Sequence, residues 1–326
     1  MERERTVEAP KASRLIAARG AGIAIAVVSA FVVTAPLAAP AGGLTSAPTA
    51  TVSYYEANAE PSTLASQGTS AGASGDQGLV ILDFGRPAVS GSVAGTMDFD
   101  GSFVSLAAIV NGTMAFIQAY LATAPPDFQL HVAIGTNDSC GTGQPCGDGV
   151  CGCQNEPTSY AAWGAQLAQA VKETQSQTDA LTLQQGDTDV VRVVAGDDAE
   201  PAFDPGYQNT YDLLAGYADA VGGFQPAMID YGSAEPGYWS MSQLLQVVNG
   251  FGPDVAVPEV YSTAGADSWA ALLSYAANEG QSVEVFGVLT NDSSGDSPQE
   301  AYGSLLNAIE PITGQSAVGW ASTIGH

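Results

Sequence analysis

The chain has 326 residues and a formal net charge of −26 at neutral pH. It holds 34 acidic residues, of which three precede residue 42 and 31 follow, whereas the basic residues after that point are only Arg86, Lys172 and Arg192. A surface of this sign repels phosphate backbones and anionic membranes, so we predict no nucleic-acid partner, and phosphorylated substrates are disfavoured for the same reason.

Residues 1–41 have the form of an export signal. Five basic residues precede an uncharged run of 19 residues, AGIAIAVVSAFVVTAPLAA, which ends near an Ala-Pro-Ala sequence suited to signal peptidase. We predict a signal peptide here. The alternative is an uncleaved N-terminal anchor, since the run could just span a bilayer. Both predictions make the protein secreted or place it on the extracellular face of the cell envelope.

Residues 42–77 are rich in Ala, Ser, Thr, Gly and Pro and show little periodicity, which predicts a flexible spacer. The remaining residues, 78–326, have a length that suits one large domain, and we expect that domain not to be embedded in a membrane. The sequence gives no signal of oligomeric state.

From residue 79 onward, short apolar runs alternate with longer helical patterns, which is typical of βα units around a parallel sheet. We predict an α/β fold, a (β/α)8 TIM-type barrel. Seven strands are clear, and the eighth is either TVSYYEA or a segment within PAVSGSVAG. An open doubly wound sheet is the alternative, but no G-x-G-x-x-G follows a strand. Helix-capping patterns begin at Ser240 and Ser297, where the predicted helices start.

All four cysteines lie in a predicted loop at 138–157; they are Cys140, Cys146, Cys151 and Cys153. In an exported protein, two disulfides within this loop are the first expectation. A four-thiolate metal site is the alternative, although the spacing lacks paired C-x2-C knuckles. A bridge between Cys151 and Cys153 would be cramped, so each is expected to pair with Cys140 or Cys146, and both connectivities stay open.

Polar residues follow the predicted strands, where a barrel places its active site. In chain order they are Asp83, Asn137, Asp138, Asp197, Asp198, Glu200, Asp230, Glu235, Glu259, Asn291, Asp292 and Trp320. Cleavage of a glycosidic bond needs one protonated carboxyl group and one carboxylate, so this ring of acids favours that chemistry. Residues two apart in an extended segment face the same side, so Asp198 and Glu200 should lie together, and their repulsion should raise one pKa.

Several of these acids have simpler explanations. Asp138, Asp230 and Asp292 could cap helices or be solvated, because Asp is common where a strand passes into a helix. Asp197 and Asp204 are interpreted as solvated turn residues. A calcium site built from Asp197, Asp198, Glu200 and Asp204 is a further alternative, although no regular loop signature supports it.

The strand-terminal Asp83 in ILDFG, the D-x-E of DDAEP and the order of strands resemble the glycoside hydrolase-type TIM barrels. These include the barrel lysozymes, which carry an Asp on the first strand and a D-x-E on a middle one. Residues 78–324 are also similar to secreted bacterial barrel proteins without assigned activity, which share D-x-E-P, YGSA and PEVY-like segments in this order.

The resemblance implies that Glu200 is the general acid and that Asp198 orients the substrate or tunes the proton of Glu200. Glu259, in VPEVYS, is the best candidate for the nucleophile or base, and Asp83 and Asp230 are its rivals. The chain has Ala-Glu-Pro around Glu200 where the large retaining clan has Asn-Glu-Pro, and this departure puts a retaining mechanism of that type in doubt.

Aromatic residues near the same strand ends could stack on sugar rings, although each could instead pack beneath loops; they are Tyr231, Trp239, Tyr261 and Trp320. His131 lies within a predicted strand and is expected to be packed there, which disfavours histidine-based hydrolysis. We predict an exported glycoside hydrolase acting on an extracellular polysaccharide or cell-wall glycan, without cofactor or metal. The alternative is a non-catalytic barrel that binds carbohydrate or associates with the cell envelope.

Overall fold

The computed structural model describes residues 46–137, 155–185, 190–201, 206–222, 227–235, 237–251, 254–291 and 293–325. The predicted signal peptide and the four cysteines with their expected bridges lie outside these ranges, as do Asp138, Asp204 and Asp292.

Eleven strands and seven helices occupy the described residues. In chain order they are β1 (Thr51–Tyr55), α1 (Pro61–Ser74), β2 (Gly78–Asp83), β3 (Arg86–Ser90), β4 (Val93–Met97), β5 (Phe103–Ser105), α2 (Leu106–Thr123), β6 (Leu130–Asn137), α3 (Tyr160–Gln185), β7 (Val191–Asp198), α4 (Tyr207–Val221), β8 (Met228–Asp230), α5 (Met241–Asn249), β9 (Asp254–Ala256), α6 (Thr263–Asn278), β10 (Gly287–Thr290), α7 (Pro298–Thr313) and β11 (Trp320–Gly325).

Eight of the strands form one sheet in the order β10-β11-β1-β2-β6-β7-β8-β9, and all their pairings are parallel. Its two edges meet through parallel bridges between Ala256 and Val285 and between Glu259 and Leu289. Helices alternate with these strands around the sheet. The fold is therefore the predicted (β/α)8 TIM-type barrel, nearly closed. The helix caps at Ser240 and Ser297 are also confirmed, each as a complete capping box.

The TVSYYEA segment supplies the eighth barrel strand, because β1 lies between β11 and β2. The other candidate, PAVSGSVAG, instead forms part of a small antiparallel sheet of β3, β4 and β5. The prediction of a flexible spacer over 42–77, with the domain beginning at 78, is thus wrong for residues 51–74, which form β1 and α1.

The small residues of this segment serve close packing rather than flexibility. A Cβ atom added at Gly68 of α1 would lie 2.1 Å from the Phe116 carbonyl oxygen of α2, and one added at Gly72 would lie 2.7 Å from the Tyr120 carbonyl oxygen. The helix α2 is long and apolar enough to cross a membrane by length and composition, but half of it is buried inside the protein.

Successive side chains along each barrel strand point to opposite faces of the sheet, and they form two apolar layers. On β7, Val193 and Ala195 belong to the layer between sheet and helices, whereas Val194 belongs to the barrel interior. The interior layer also takes residues from the other strands and the segments that follow them: Leu79, Ile81, Ala133, Ile229, Tyr231, Val257, Leu289 and Ile324. Closer to the carboxyl ends of the strands, beyond this apolar layer, inward-facing polar residues form the layer in which the candidate site lies.

Two glycines make room for Tyr231 across the upper part of the interior. Gly135 and Gly196 are direct neighbours in the pairing of β6 with β7. A Cβ at Gly135 would lie 2.5 Å from the Tyr231 hydroxyl oxygen, and one at Gly196 would lie 2.7 Å from its Cε1. The Tyr231 ring is fully buried, so it has no free space into which to move.

We therefore predict that Gly196→Ala lowers the free energy of unfolding by about 1–3 kcal/mol, the usual cost of overpacking a dense interior. Urea denaturation followed by circular dichroism measures the change. The control is Gly303→Ala in α7, where an added Cβ meets nothing within 4 Å. That control should be neutral or stabilising by up to about 1 kcal/mol. Equal stability of Gly196→Ala and the wild type would contradict the packing described.

Candidate active site

Three of the predicted carboxylates meet at the carboxyl ends of the barrel strands. One oxygen each of Asp198, Glu200 and Glu259 lies within 4.8 Å of the other two. Asp198 ends β7 and Glu200 follows two positions later, so both face the barrel interior as the sequence predicts. Glu259 arrives from a segment 59 positions further along the chain than Glu200.

Barrel closure positions Glu259. The Leu289 amide donates to the Pro258 carbonyl at 2.9 Å, and the Val260 amide donates to the Leu289 carbonyl at 2.8 Å. Glu259 lies between these two bonds and is held on both sides by the strand β10. Its side chain is therefore fixed against Glu200 by the hydrogen bonds that join the two edges of the sheet.

The three carboxyl groups are buried among like charges, which favours their protonated forms. Burial raises the pKa of Glu259 well above its usual range, and the charge of Glu200 raises it further. Burial likewise raises the pKa of Asp198, and the charges of Glu259 and Glu200 add to the effect. The pKa of Glu200 is raised mainly by burial, while a hydrogen bond with Glu259 lowers it.

Glu200 and Glu259 interact closely enough to share a proton. Burial raises the pKa of both carboxyl groups, and a hydrogen bond joins them. The Tyr261 hydroxyl donates to Glu259 Oε1 and opposes the rise in the pKa of Glu259. The pair therefore retains a proton at a pH where exposed carboxyl groups lose theirs.

Asp198 lies beside this pair and is only 7% exposed. The Tyr55 hydroxyl donates to its Oδ2 at 3.2 Å. Its Oδ1 is buried and accepts no hydrogen bond within the described ranges, so it could accept one from a ligand. The Tyr55 ring in turn stacks on Phe99, with ring centroids 4.9 Å apart and planes 3° apart.

Asp83 and Asp230, the predicted rivals of Glu259, are held in structural hydrogen bonds. Asp83 is fully buried and lies on the second barrel strand rather than the first. It accepts from the Gly85 amide at 2.8 Å and from the Tyr231 hydroxyl at 3.0 Å. Asp230 Oδ1 accepts from the Gly232 amide at 3.0 Å, which is a local turn contact. Neither carboxyl group belongs to the cluster of three.

The interpretation of Asp197 as a solvated turn residue is wrong. Asp197 lies within β7 and is buried, and its Oδ1 accepts a hydrogen bond from the Thr136 hydroxyl at 2.9 Å. A calcium site that includes Asp197 is not supported either, because adjacent positions on a strand point to opposite faces. Asp197 therefore faces away from Asp198.

Of the four predicted aromatic residues, only one lies in the site. Tyr261 lies in the site, but Tyr231 and Trp239 are buried, and Trp239 packs edge-on against Tyr207 at 5.9 Å. Trp320 begins β11 and lies 4.8 Å from the ring of His131, near the amino ends of the strands and opposite the site. The predicted stacking role is thus wrong for Tyr231, Trp239 and Trp320.

His131 is packed, as predicted from its position within a strand. It lies near the start of β6 with its ring against Trp320. Burial lowers the pKa of His131 to about 4, and the charge of Arg192 contributes in the same direction. The imidazole is therefore neutral at physiological pH and remote from the carboxylate cluster.

Sequence reasoning missed three residues of this face, namely Tyr55, Glu56 and Phe99. Glu56 follows β1, and burial raises its pKa to about 7, while a hydrogen bond with Gln67 lowers it and the charge of Asp83 raises it. Tyr55 and Glu56 fell in the predicted spacer. The signal that could have found them is the strand candidate TVSYYEA, whose last residues reach the same rim as Asp83.

A cavity of about 340 Å³ opens beside the carboxylate pair. Its lining includes Glu200 and Glu259, the exposed Glu235, and Tyr261. Small residues from the β8–α5 connection and the start of α6 form the rest; among them are Ser233, Ala234, Ser262, Ala264, Gly265 and Ser268. The pair therefore borders a polar space that an external molecule can enter.

No protein-family model matches the chain. No curated protein sequence matches it either. Among solved structures, it resembles a GH5-4 broad specificity endoglucanase from an uncultured bacterium, with 12% identity, 81% of this chain and 77% of that chain covered, and a TM-score of 0.36. At this level of similarity, the roles of the carboxylates rest on the geometry of this chain alone.

The raised pKa of Glu259 predicts a pH-dependent effect of Glu259→Gln on stability. An acid with a raised pKa binds more protons in the folded state than in the unfolded state. Its contribution to stability is therefore full below the unfolded pKa of about 4.3 and is lost as pH rises through the folded pKa. The glutamine keeps an acceptor for Tyr261 and a donor for Glu200 but cannot ionise.

Glu259→Gln should therefore gain free energy of unfolding relative to the wild type by about 1 kcal/mol or more between about pH 5 and pH 8. Urea denaturation of both proteins at the two pH values measures this difference. The exposed Glu310→Gln serves as the control and should show no such trend. A difference that stayed constant or reversed with pH would contradict a raised pKa for Glu259.

Proposed function

We propose that the protein is a glycoside hydrolase acting on an extracellular glycan, with Glu200 and Glu259 as its catalytic pair. The observation that carries this proposal is the hydrogen-bonded pair itself, which retains a proton because of burial and mutual repulsion and borders an open cavity. An acid that stays protonated near neutral pH beside a carboxylate is what glycosidic cleavage requires. We also propose that residues 1–41 direct export of the protein.

We assign the general acid to Glu200 and the nucleophile to Glu259. Glu200 is the more exposed of the two, so it can exchange its proton with solvent after each turnover. Glu259 is buried and receives the Tyr261 hydroxyl, a donor that stabilises its ionised form. The hydrogen bond between the two carboxyl groups lets the proton of the pair pass between them, and the form competent for cleavage carries it on Glu200 and the negative charge on Glu259.

The spacing of the pair favours retention of configuration. Their nearest oxygens lie within 4.8 Å and are hydrogen bonded. Retaining pairs are separated by about 5–5.5 Å, whereas inverting pairs need about 6.5–9.5 Å to admit a water between base and sugar. If the two side chains moved slightly apart on sugar binding, their carboxyl groups would be at the retaining distance.

Replacing either glutamate by glutamine should lower kcat on a natural glycan by roughly 10²–10⁴-fold, since each substitution removes a proton-transfer or nucleophilic group. A panel of polysaccharides, assayed by reducing-end release, identifies the substrate first. An aryl glycoside with a strongly acidic phenol then separates the two roles, because its leaving group needs no protonation. Glu200→Gln should keep most activity on this substrate, and Glu259→Gln should lose it.

Glu310→Gln is the control for this experiment and should act as the wild type does. Equal activity of Glu200→Gln and the wild type on the natural glycan would contradict the assignment. Binding of glycans by the wild type without any cleavage over a broad panel would favour the alternative, a non-catalytic barrel that binds carbohydrate.

Phe99 and Tyr55 offer an aromatic surface next to Asp198. Phe99 is 44% exposed although it is large and apolar, and its ring stacks flat on Tyr55. Apolar faces of this kind beside a polar cleft are suited to sugar rings, which present C–H groups on one face. We therefore include the Phe99 ring in the proposed glycan-binding surface.

Phe99→Ala should raise KM for an oligosaccharide by about 2- to 10-fold, the effect of losing one aromatic contact, with a smaller change in kcat. Steady-state kinetics on oligosaccharides of increasing length measure the effect, which should grow once the chain reaches Phe99. The matched control is Leu183→Ala, which truncates another exposed apolar side chain on α3. An unchanged KM at every chain length would remove Phe99 from the binding surface.

A further inference from the structure

The charge of the cavity exceeds what the proposed chemistry needs. Besides Glu200 and Glu259, its lining contains Glu235, an exposed carboxylate from the connection between β8 and α5. The charge of Glu235 acts on both members of the pair and raises the pKa of each. Binding of a neutral substrate gains nothing from the third negative charge that Glu235 brings to this position.

Among the described residues that line the cavity, none has a basic side chain that offsets these charges. Arg192 lies at the other end of β7, six positions before Asp198, which corresponds to about 20 Å along a strand. The Lys172 ammonium donates to the Ala220 carbonyl at 2.7 Å in the outer helical layer. Arg86 begins β3 and interacts with the charges of Glu156 and Tyr160.

Among the described lining residues, only those at the start of α6 bring a positive field to the cavity. Ser262 is the N-cap of this helix and its side chain makes no capping bond, although it borders the cavity. A helix amino end carries roughly half a positive charge, which is less than the charge of Glu235 and the ionised member of the pair together. The cavity therefore remains negative in sign.

Asp198 adds a second indication that this site is built to bind a ligand group. Its side chain is more than nine-tenths buried, its Oδ1 accepts no hydrogen bond within the described ranges, and one of its oxygens lies within 4.8 Å of Glu200 and Glu259. A buried polar atom without a partner costs free energy until a ligand group pairs with it. An ammonium group supplies three donors, and its positive charge favours the ionised, accepting form of Asp198.

We propose that the glycan taken by this site carries free amino groups, as in polymers of de-N-acetylated hexosamine, and that Glu235 selects the ammonium. This inference rests on the proposed function for the site but concerns recognition rather than cleavage. The hydroxyl groups of Ser233, Ser262 and Ser268 line the same cavity and can donate to or accept from the remaining sugar hydroxyls. Sugars that carry carboxylate or sulfate groups are excluded by the same charges.

The test compares oligosaccharides with one β-1,4-linked backbone that differ only at C2, where they carry a hydroxyl, an acetamide or an ammonium group. Calorimetry on Glu200→Gln, which mimics the protonated acid, measures binding without depending on turnover. The ammonium form should bind about fivefold or more tightly than the hydroxyl form at low ionic strength. This preference should shrink at about 0.5 M NaCl, because salt screens exposed charges.

Adding Glu235→Gln to that protein should reduce the preference about threefold or more. Adding Glu310→Gln, an exposed charge on α7, should leave it unchanged. Equal affinity for the three forms, or tighter binding of an oligouronate, would overturn the proposal. Tight binding of Ca²⁺ alone in competition with the sugar would also overturn it, because the negative charge would then serve a metal ion.

Cleavage is measured separately on the wild type with the same oligosaccharides. Cleavage without an ammonium preference would leave the hydrolase proposal standing and remove this inference. Selective binding of the ammonium form without cleavage would support this inference and contradict the hydrolase proposal.

Discussion

A closed parallel barrel has to fill its own interior, and this constraint governs the rest of the structure. Each strand sends alternate residues inward, so the eight strands build stacked layers from residues far apart in the chain. The lower layers are apolar, and the absence of a side chain at Gly135 and Gly196 leaves room for the ring of Tyr231. The uppermost layer is polar, and there the same geometry forces Asp198, Glu200 and Glu259 together.

The repulsion between these three carboxyl groups has to be reduced, and here bound protons and hydroxyl donors reduce it. The charges that act on Asp198 are all carboxylates, and the hydroxyls of Tyr55 and Tyr261 donate to Asp198 and Glu259. Buried acids among like charges keep protons at a pH where exposed acids lose them. The arrangement costs stability as pH rises, and it keeps a carboxylic acid available near neutrality for proton transfer. Stability and the proposed chemistry thus depend on one proton.

The barrel and half of the site could be predicted because they depend on local pattern. Alternating βα segments give the fold, and the two-residue spacing of Asp198 and Glu200 places both on the interior face. The pairing with Glu259 depends on closure of the sheet, which no local pattern encodes. A position near a strand end suggests a stacking role for Trp239 and Trp320, whereas packing decides how exposed their rings are. The composition of 51–74 resembled a linker because tightly packed helices also favour small residues.

The central claim is that the pair of Glu200 and Glu259 retains a proton at neutral pH in the free protein. Infrared difference spectroscopy tests it most directly, because a protonated carboxyl group has a C=O stretching band well separated from that of carboxylate. At neutral pH, the wild type minus Glu259→Gln difference spectrum should show this band, and the corresponding spectrum for Glu310→Gln should lack it. A Glu259→Gln difference spectrum that showed only carboxylate bands would contradict the account.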